Sequence, residues 1–186
     1  VTGGSGATPD DTRLDGFTVR SGGTDDIFIT SGAGMYNNNS SPTVANCIFS
    51  GNTVYCSDGG GMYNKNSNPT VTNCTFSGNT ADNDGGGMLN DYSSPTVVNC
   101  TFSGNTATNG GGMLNDYSSP TVANCTFSGN TATAGFGGGV YNNNCSSTVV
   151  NCTFSGNTAD MDGGGMYNYD GSPTVVNCTF SGNTAN

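Results

Sequence analysis

The stretch Ser94-Pro95-Thr96-Val97-Val98-Asn99-Cys100-Thr101-Phe102-Ser103-Gly104-Asn105-Thr106-Ala107 carries the pattern that decides the fold. Close copies of it recur from Pro42 to the last residue, and their Asn-Cys pairs are separated by 27, 26, 25, 27 and 26 residues. A fixed period of this length is typical of solenoids, in which each repeat stacks on the next. The sequence therefore predicts a repetitive, thin core.

A second motif keeps phase with the first and completes each repeat. It reads Gly-Gly-Gly-Met-Leu-Asn over residues 85–90 and again over residues 110–115, with close variants in the other repeats. Strand-like residues follow it, and their alternation places Phe102 inward and Thr101 and Ser103 outward. Each repeat thus joins a strand-like half to a Gly-rich half, in which Met88 is expected to point inward and Leu89 outward.

The spacing Val97-x-x-Cys100-x-Phe102-x-x-Asn105 also satisfies the template of a leucine-rich repeat. The other half of the repeat favours a different fold, because it is Gly-rich and lacks helix formers such as Glu, which is absent from the chain. We expect an all-β, right-handed parallel β-helix of about seven coils of 25–27 residues, with essentially no helix.

The whole chain, residues 1–186, is predicted to form a single β-solenoid domain. Residues 1–31 read as a divergent first coil with an insertion, and residues 32–186 as six regular coils. Aligning Leu14 with Val97 places Phe17 at the position of Cys100. The apolar run Ile27-Phe28-Ile29 then forms an extra strand or covers the first coil.

Six of the eight cysteines fall at one phase of the repeat. Stacked strands lie about 4.8 Å apart, whereas a disulfide needs converging Cβ atoms about 3.8 Å apart. We therefore expect a buried ladder of free thiols. Cys56 and Cys145 lie outside this phase in loop-like segments, where they are free or form bonds between molecules.

Asparagine recurs at three phases, represented by Asn90, Asn99 and Asn105, and is expected to form ladders between coils. Five Asn-Cys-Thr triplets also match the glycosylation acceptor motif, beginning at Asn73, Asn99, Asn124, Asn151 and Asn177. Because we expect these asparagines to lie at inward corners, the motif is interpreted as structural.

The acidic residues argue against catalysis. The candidate acids lie in predicted loops before the Gly-rich turn; they are Asp58, Asp82, Asp84, Asp160 and Asp162. The strands carry Thr, Ser and Asn instead, and the chain has no histidine. Glycoside hydrolysis needs a pair of carboxylates placed across a substrate. We expect no enzyme, no catalytic residue and no cofactor.

Calcium is the one ligand that the acids point to, since it prefers oxygen ligands. Asp91 and Asp116 should stack as like charges on adjacent coils, and Asp82 and Asp84 resemble a fragment of a calcium loop. These four residues are the calcium candidates, with solvated turn residues as the alternative interpretation.

The net charge of -10, with only Arg13, Arg20 and Lys65 as bases, predicts repulsion from phosphate backbones and anionic lipid. Nucleic acid and membrane insertion are therefore not expected. The ranks of outward hydroxyls, such as Thr101 and Ser103, resemble the flat threonine arrays of ice-binding solenoids, which gives one alternative function.

Repeats such as residues 95–107, followed by Gly110-Gly111-Gly112-Met113, resemble the right-handed parallel β-helix repeats of bacterial surface proteins, including those similar to polymorphic outer membrane proteins of the autotransporter type. The resemblance covers residues 14–186. It implies an exported solenoid, extracellular or on a bacterial cell surface. An adhesive role is a further expectation, with glycans or host or cell surfaces as partners.

The two ends of the sequence fall at complementary phases of the repeat. The chain begins in the Gly-rich phase and stops just before that phase recurs, so one copy is expected to continue the coil of another in a filament. The alternative is that the chain is a segment of a larger surface adhesin. The residues expected at the interface between copies are Val1, Gly3, Gly4, Leu14, Phe17, Val175, Cys178, Phe180 and Asn183.

Overall fold

Each coil contributes one short strand to each of four parallel sheets, and the described residues of the first coil supply strands to three of them. The structure is a computed structural model and describes residues 12–24 and 32–186. No helix occurs in these residues, which excludes the leucine-rich alternative with a helical return. The parallel β-helix is confirmed.

We name each sheet after the residue type that occupies the inward position in most of its strands. The methionine sheet consists of Met35–Asn38, Met62–Lys65, Met88–Asp91, Met113–Asp116, Val140–Asn143 and Met166–Tyr169. The valine sheet consists of Arg13–Asp15, Thr43–Ala45, Thr70–Thr72, Thr96–Val98, Thr121–Ala123, Thr148–Val150 and Thr174–Val176.

The other two sheets follow in every coil. The phenylalanine sheet consists of Thr18–Arg20, Ile48–Ser50, Thr75–Ser77, Thr101–Ser103, Thr126–Ser128, Thr153–Ser155 and Thr179–Ser181. The alanine sheet consists of Gly23–Thr24, Thr53–Val54, Thr80–Ala81, Thr106–Ala107, Thr131–Ala132, Thr158–Ala159 and Thr184–Ala185.

Four corners with left-handed backbone separate the strands of a coil. In the coil that begins at Gly85 they are Gly85 (φ 66°), Tyr92 (φ 48°), Asn99 (φ 53°) and Gly104 (φ 62°). Glycine and asparagine tolerate this conformation, whereas a bulky side chain such as tyrosine rarely adopts it. Three of the four corners therefore follow from residue type, and the tyrosine corner does not.

Gly87 is needed for close approach of adjacent coils. A Cβ atom at this position would collide with the carbonyl oxygen of Gly112 and would lie 3.0 Å from the ring of Phe102. Real Cβ atoms do not approach backbone this closely, so the Gly-rich half of the repeat is a packing requirement as well as a turn.

Identical residues stack on each other through the core. Phe76, Phe102 and Phe127 lie in register, with ring centroids 4.7–4.8 Å apart and planes within 5° of parallel. Val97 and Phe102 are fully buried. This one-residue-thick core is the predicted one, built from ladders of Met, Val, Cys and Phe.

The first coil keeps this register as far as the structure describes it. Leu14 pairs with Val44 and Val19 with Phe49, as the sequence alignment predicts. The residues Val1, Gly3 and Gly4 and the run Ile27-Phe28-Ile29 lie outside the described residues.

A second apolar cluster lies on the outer side of the methionine sheet. Tyr63, Leu89 and Leu114 form it, with Tyr36 and Tyr141 packed against them. These positions are separate from the inner core, as predicted for Leu89, yet they are only 3–6% exposed. At these positions the outer side of the methionine sheet is therefore apolar and covered.

Candidate functional site

The last coil exposes residues that are buried everywhere else. Val175 is 40% and Phe180 48% exposed, whereas the equivalent Val149 and Phe154 are 1% and 0% exposed. Cys178 and Asn183 are partly exposed. At the opposite end Leu14 is partly exposed and Phe17 is 56% exposed. The described residues predicted for an interface therefore lie on the first and last described coils, on edges that no other described coil covers.

Two of the predicted asparagine ladders run through the buried interior. The side chain of Asn79 donates to Oδ1 of Asn105 over 2.9 Å, and the backbone N–H of Asn79 donates to the same oxygen over 3.0 Å. In the second ladder, Nδ2 of Asn90 donates to Oδ1 of Asn115 over 2.8 Å. Each amide therefore satisfies groups in the adjacent coil, as expected.

The third asparagine ladder corrects a prediction. Asn99 and its counterparts in the Asn-Cys-Thr triplets are exposed rather than inward. Asn99 occupies a left-handed corner at φ 53°, and its Nδ2 lies 3.3 Å from Oδ1 of Asn73. The error arises because the corner residue interrupts the in-out alternation between Val97 and Cys100.

All eight cysteines are free. In the predicted ladder, the backbone N–H of Cys74 donates to Sγ of Cys100 over 3.4 Å. Burial raises the pKa of the Cys47 thiol, which disfavours the reactive thiolate. Five of the six ladder thiols are buried and Cys178 is partly exposed, so the ladder is a packing feature.

Cys145 lies in a connection between two strands, Val140–Asn143 and Thr148–Val150, as predicted, but it is buried there. It is 2% exposed and takes a place in a ladder of corner serines, where it accepts a hydrogen bond from the backbone N–H of Ser118 over 3.3 Å. Burial raises the pKa of its thiol. Cys56 is the exposed cysteine.

The acidic residues on the outer side of the methionine sheet interact with one another. Burial raises the pKa of Asp58, with a further contribution from the charges of Asp84 and Asp91. Burial also raises the pKa of Asp116, again with contributions from Asp91 and Asp84. These four carboxyl groups make this side of the solenoid strongly negative.

Asp91 and Asp116 lie in register on adjacent coils, as predicted. Asp82 accepts a hydrogen bond from the backbone N–H of Cys56, and Asp84 accepts one from Asn109 over 3.0 Å. In the part of the chain that the structure describes, no group of three or more His, Cys, Asp or Glu residues is arranged to hold a metal ion. Calcium at these residues stays a prediction.

Sequence reasoning missed a pair of exposed aromatic rings. Tyr92 and Tyr117 are 61% and 53% exposed, and their rings stack with centroids 5.1 Å apart and planes within 5° of parallel. The signal was present, since Leu-Asn-Asp-Tyr-Ser-Ser-Pro occurs twice, over residues 89–95 and 114–120. Tyrosine there replaces the Asn or Asp found at this corner in the other regular coils.

Comparison with known proteins agrees with this architecture. The described residues contain no helix, and therefore none that is long and apolar enough to cross a membrane. Searches of curated proteins and of solved structures found no match. The model of the right handed beta helix region matches residues 2–185, nearly the whole chain. The parallel coils and this match together place the chain in the right-handed beta helix family.

Proposed function

We propose that the protein is a non-enzymatic structural solenoid, extracellular or on a cell surface, whose coils stack head to tail between copies into a filament. One observation carries the proposal. The last coil retains the inward valine, cysteine, phenylalanine and asparagine of the interior coils, and there Val175 and Phe180 are exposed and Cys178 and Asn183 partly exposed. Such an edge accepts another coil in the same register.

The geometry of the open edges supports this mode of association. Interior coils join through parallel backbone hydrogen bonds, such as that from the Thr179 N–H to the Cys152 carbonyl over 2.9 Å. An unpaired strand edge templates further pairing. The two edges are different surfaces, and a copy that stacks in register continues the same coil axis, so each copy adds to the next without closing a ring, which gives an open filament.

The non-enzymatic part of the proposal rests on the sheet surfaces. Apart from Arg20 and Ile48, the outward positions of the phenylalanine sheet carry Thr and Ser, and every strand of the valine sheet from Thr43 onward begins with an outward Thr. Neither residue type forms a proton-transfer pair without an acidic or basic partner. The work of this molecule is mechanical, as a rod or spacer.

Assembly is tested by analytical ultracentrifugation and electron microscopy of the 186-residue chain over a wide concentration range. Wild-type protein should form rods that lengthen with concentration. The double variant Val175→Asp/Phe180→Asp places charges on the coil edge and should remain monomeric. Thr179→Asp, which puts the same charge on the outward side of the same strand, is the control and should still assemble.

A monomer at every concentration would remove the filament from the proposal. It would favour the alternative that these coils belong to a longer surface adhesin, in which further coils of the same chain cover the edge. Fibre diffraction provides a second readout, since assembled coils should give a meridional spacing of about 4.8 Å.

A second function, ice binding, is favoured by one observation. Thr75, Thr101 and Thr126 lie in register on the phenylalanine sheet, beside a matching rank of serines. Thermal hysteresis measured on the monomeric double variant is the test. Hysteresis that Thr101→Lys abolishes would support this function, and its absence at high concentration would dispose of it.

A further inference from the structure

The corner occupied by Tyr92 and Tyr117 is costly for tyrosine. Both residues have left-handed backbone, at φ 48° and 45°. In the other regular coils this corner is occupied by Asn39, Asn66, Asn144 and Asp170. Asn and Asp tolerate this conformation, whereas a bulky side chain there is an outlier.

Burial does not offset that cost. More than half of each tyrosine side chain is exposed, so the rings contribute little to the core. Their stacking on each other is favourable, yet asparagine would provide the same turn without strain. Strained residues of this kind cluster at binding sites, and exposed tyrosines are frequent anchors for partners.

Each tyrosine follows an aspartate on the outward side of the methionine sheet. Asp91 Oδ2 accepts a hydrogen bond from the Tyr63 hydroxyl over 3.0 Å, and Asp116 Oδ1 accepts one from Asn143 over 2.7 Å. The second oxygen of each carboxylate has no hydrogen-bond partner among the described residues. The two aspartates are in register, and each directly precedes one of the stacked tyrosines, so the acceptor recurs on adjacent coils together with the aromatic ring.

We propose that Asp91, Tyr92, Asp116 and Tyr117 form a binding site for arginine side chains of a protein partner. A guanidinium group stacks on aromatic rings and donates paired hydrogen bonds to carboxylates. The net charge of -10 attracts a basic partner over a distance and repels nucleic acid. A neutral ligand such as a glycan would stack on the tyrosine rings but would not neutralise the negative charges of Asp91 and Asp116.

Lys65 is a positive charge of this chain close to the site, and it competes with an arginine ligand for the aspartate charge. It lies beside Asp91 in the preceding coil, in register, and forms no ion pair with Asp91 in the described structure. An ammonium ion nearby lowers the local negative potential. Lys65→Gln should therefore strengthen binding of a basic partner, a direction that damage to the fold would not produce.

The test uses the intact chain and the peptide acetyl-Gly-Arg-Gly-Arg-Gly-Arg-amide, followed by nuclear magnetic resonance or calorimetry. A peptide with citrulline in place of arginine is the ligand control, because it keeps the shape and loses the charge. Tyr92→Asn/Tyr117→Asn should weaken arginine binding by roughly tenfold or more while leaving the melting temperature unchanged or higher. Asp91→Asn/Asp116→Asn should weaken it comparably, and Tyr55→Asn, an exposed tyrosine in another loop, should not.

Three results would overturn the proposal. They are equal binding of the arginine and citrulline peptides, undiminished arginine binding by both double variants of the site, and no arginine binding at millimolar peptide when the four site residues are unchanged. Binding of a neutral hexasaccharide that Tyr92→Asn/Tyr117→Asn abolishes, without arginine binding, would assign the rings to a glycan instead. None of these measurements depends on filament formation, because all are made on the monomeric Val175→Asp/Phe180→Asp background.

Discussion

Two segments of this chain have the same sequence and very different environments. Residues 95–107 and 173–185 both read Pro-Thr-Val-Val-Asn-Cys-Thr-Phe-Ser-Gly-Asn-Thr-Ala. Phe102 in the first is fully buried, whereas Phe180 in the second is 48% exposed. The local sequence determines which side chains point inward, and only the adjacent coil determines whether they are buried. Stability in such a molecule is a property of the interfaces between coils.

The matched phenylalanines give the largest expected effect. Phe102→Ala removes a ring packed between two others and should cost about 3–5 kcal/mol of unfolding free energy. Phe180→Ala removes a ring that contacts one neighbour and should cost roughly half as much. Denaturant unfolding of the two variants measures the difference. Equal costs would contradict the idea that burial comes from the next coil.

The matched asparagines come next. Asn105→Ala removes the acceptor of two buried donors, the backbone N–H and Nδ2 of Asn79. Each unsatisfied buried donor costs about 1–3 kcal/mol, so we expect a loss of about 2–4 kcal/mol. Asn183→Ala, at the partly exposed edge, should cost about 1 kcal/mol because water replaces the lost acceptor. Hydrogen exchange at the Asn79 amide reports the local change.

The inward ladders were predictable from the sequence because they depend on a strict period. In most coils a phenylalanine equivalent to Phe102 lies between an outward Thr and an outward Ser, such as Thr101 and Ser103. The in-out alternation of a strand alone therefore assigns its side chain to the core. The same regularity fixed the coil count and the strand type, since each coil can bury its apolar face only against its neighbours.

The errors lie at the corners and on the outer surface, where alternation does not apply. Asn99 was expected to point inward, but its left-handed backbone turns it out. Cys145 lies in a loop-like connection as predicted, but its burial, which comes from stacking on the corner of Ser118, was not predicted. The burial of Leu89 depends on neighbouring tyrosine side chains, a tertiary contact that no local pattern encodes.

The coil that contains Ser147 departs from the repeat, and the side chain of Ser147 lacks a hydrogen-bond partner. Ser147 stands where five other coils have proline, and its buried hydroxyl has no hydrogen-bond partner. Ser147→Pro removes the unsatisfied group and restricts the unfolded chain, so it should stabilise the protein by about 1 kcal/mol. The reverse change in a regular coil, Pro95→Ser, should destabilise by a similar amount. A rise in melting temperature for one and a fall for the other is the expected pair of results.

The smallest expected effect concerns the loop carboxyl groups outside the core. Burial raises the pKa of Asp84, so the folded state binds its proton more tightly than the unfolded state does. Stability from this group is therefore complete below its ordinary pKa, near pH 4, and is lost as the pH rises through the raised pKa. Acidification from neutral pH toward pH 4 should raise the melting temperature.

Asp15 has the opposite effect, because hydrogen bonds from Asn46 and Arg13 lower the pKa of this exposed group. Two substitutions separate the contribution of Asp84 from that of Asp15. Asp84→Asn should flatten the pH dependence, and asparagine already occupies the equivalent loop position at Asn109. Asn109→Asp places a second carboxylate beside Asp84 and should steepen it, since like charges then accumulate at neutral pH. If both variants keep the wild-type pH profile of melting temperature, the outer carboxyl groups do not couple to folding, and the inner ladders alone determine stability.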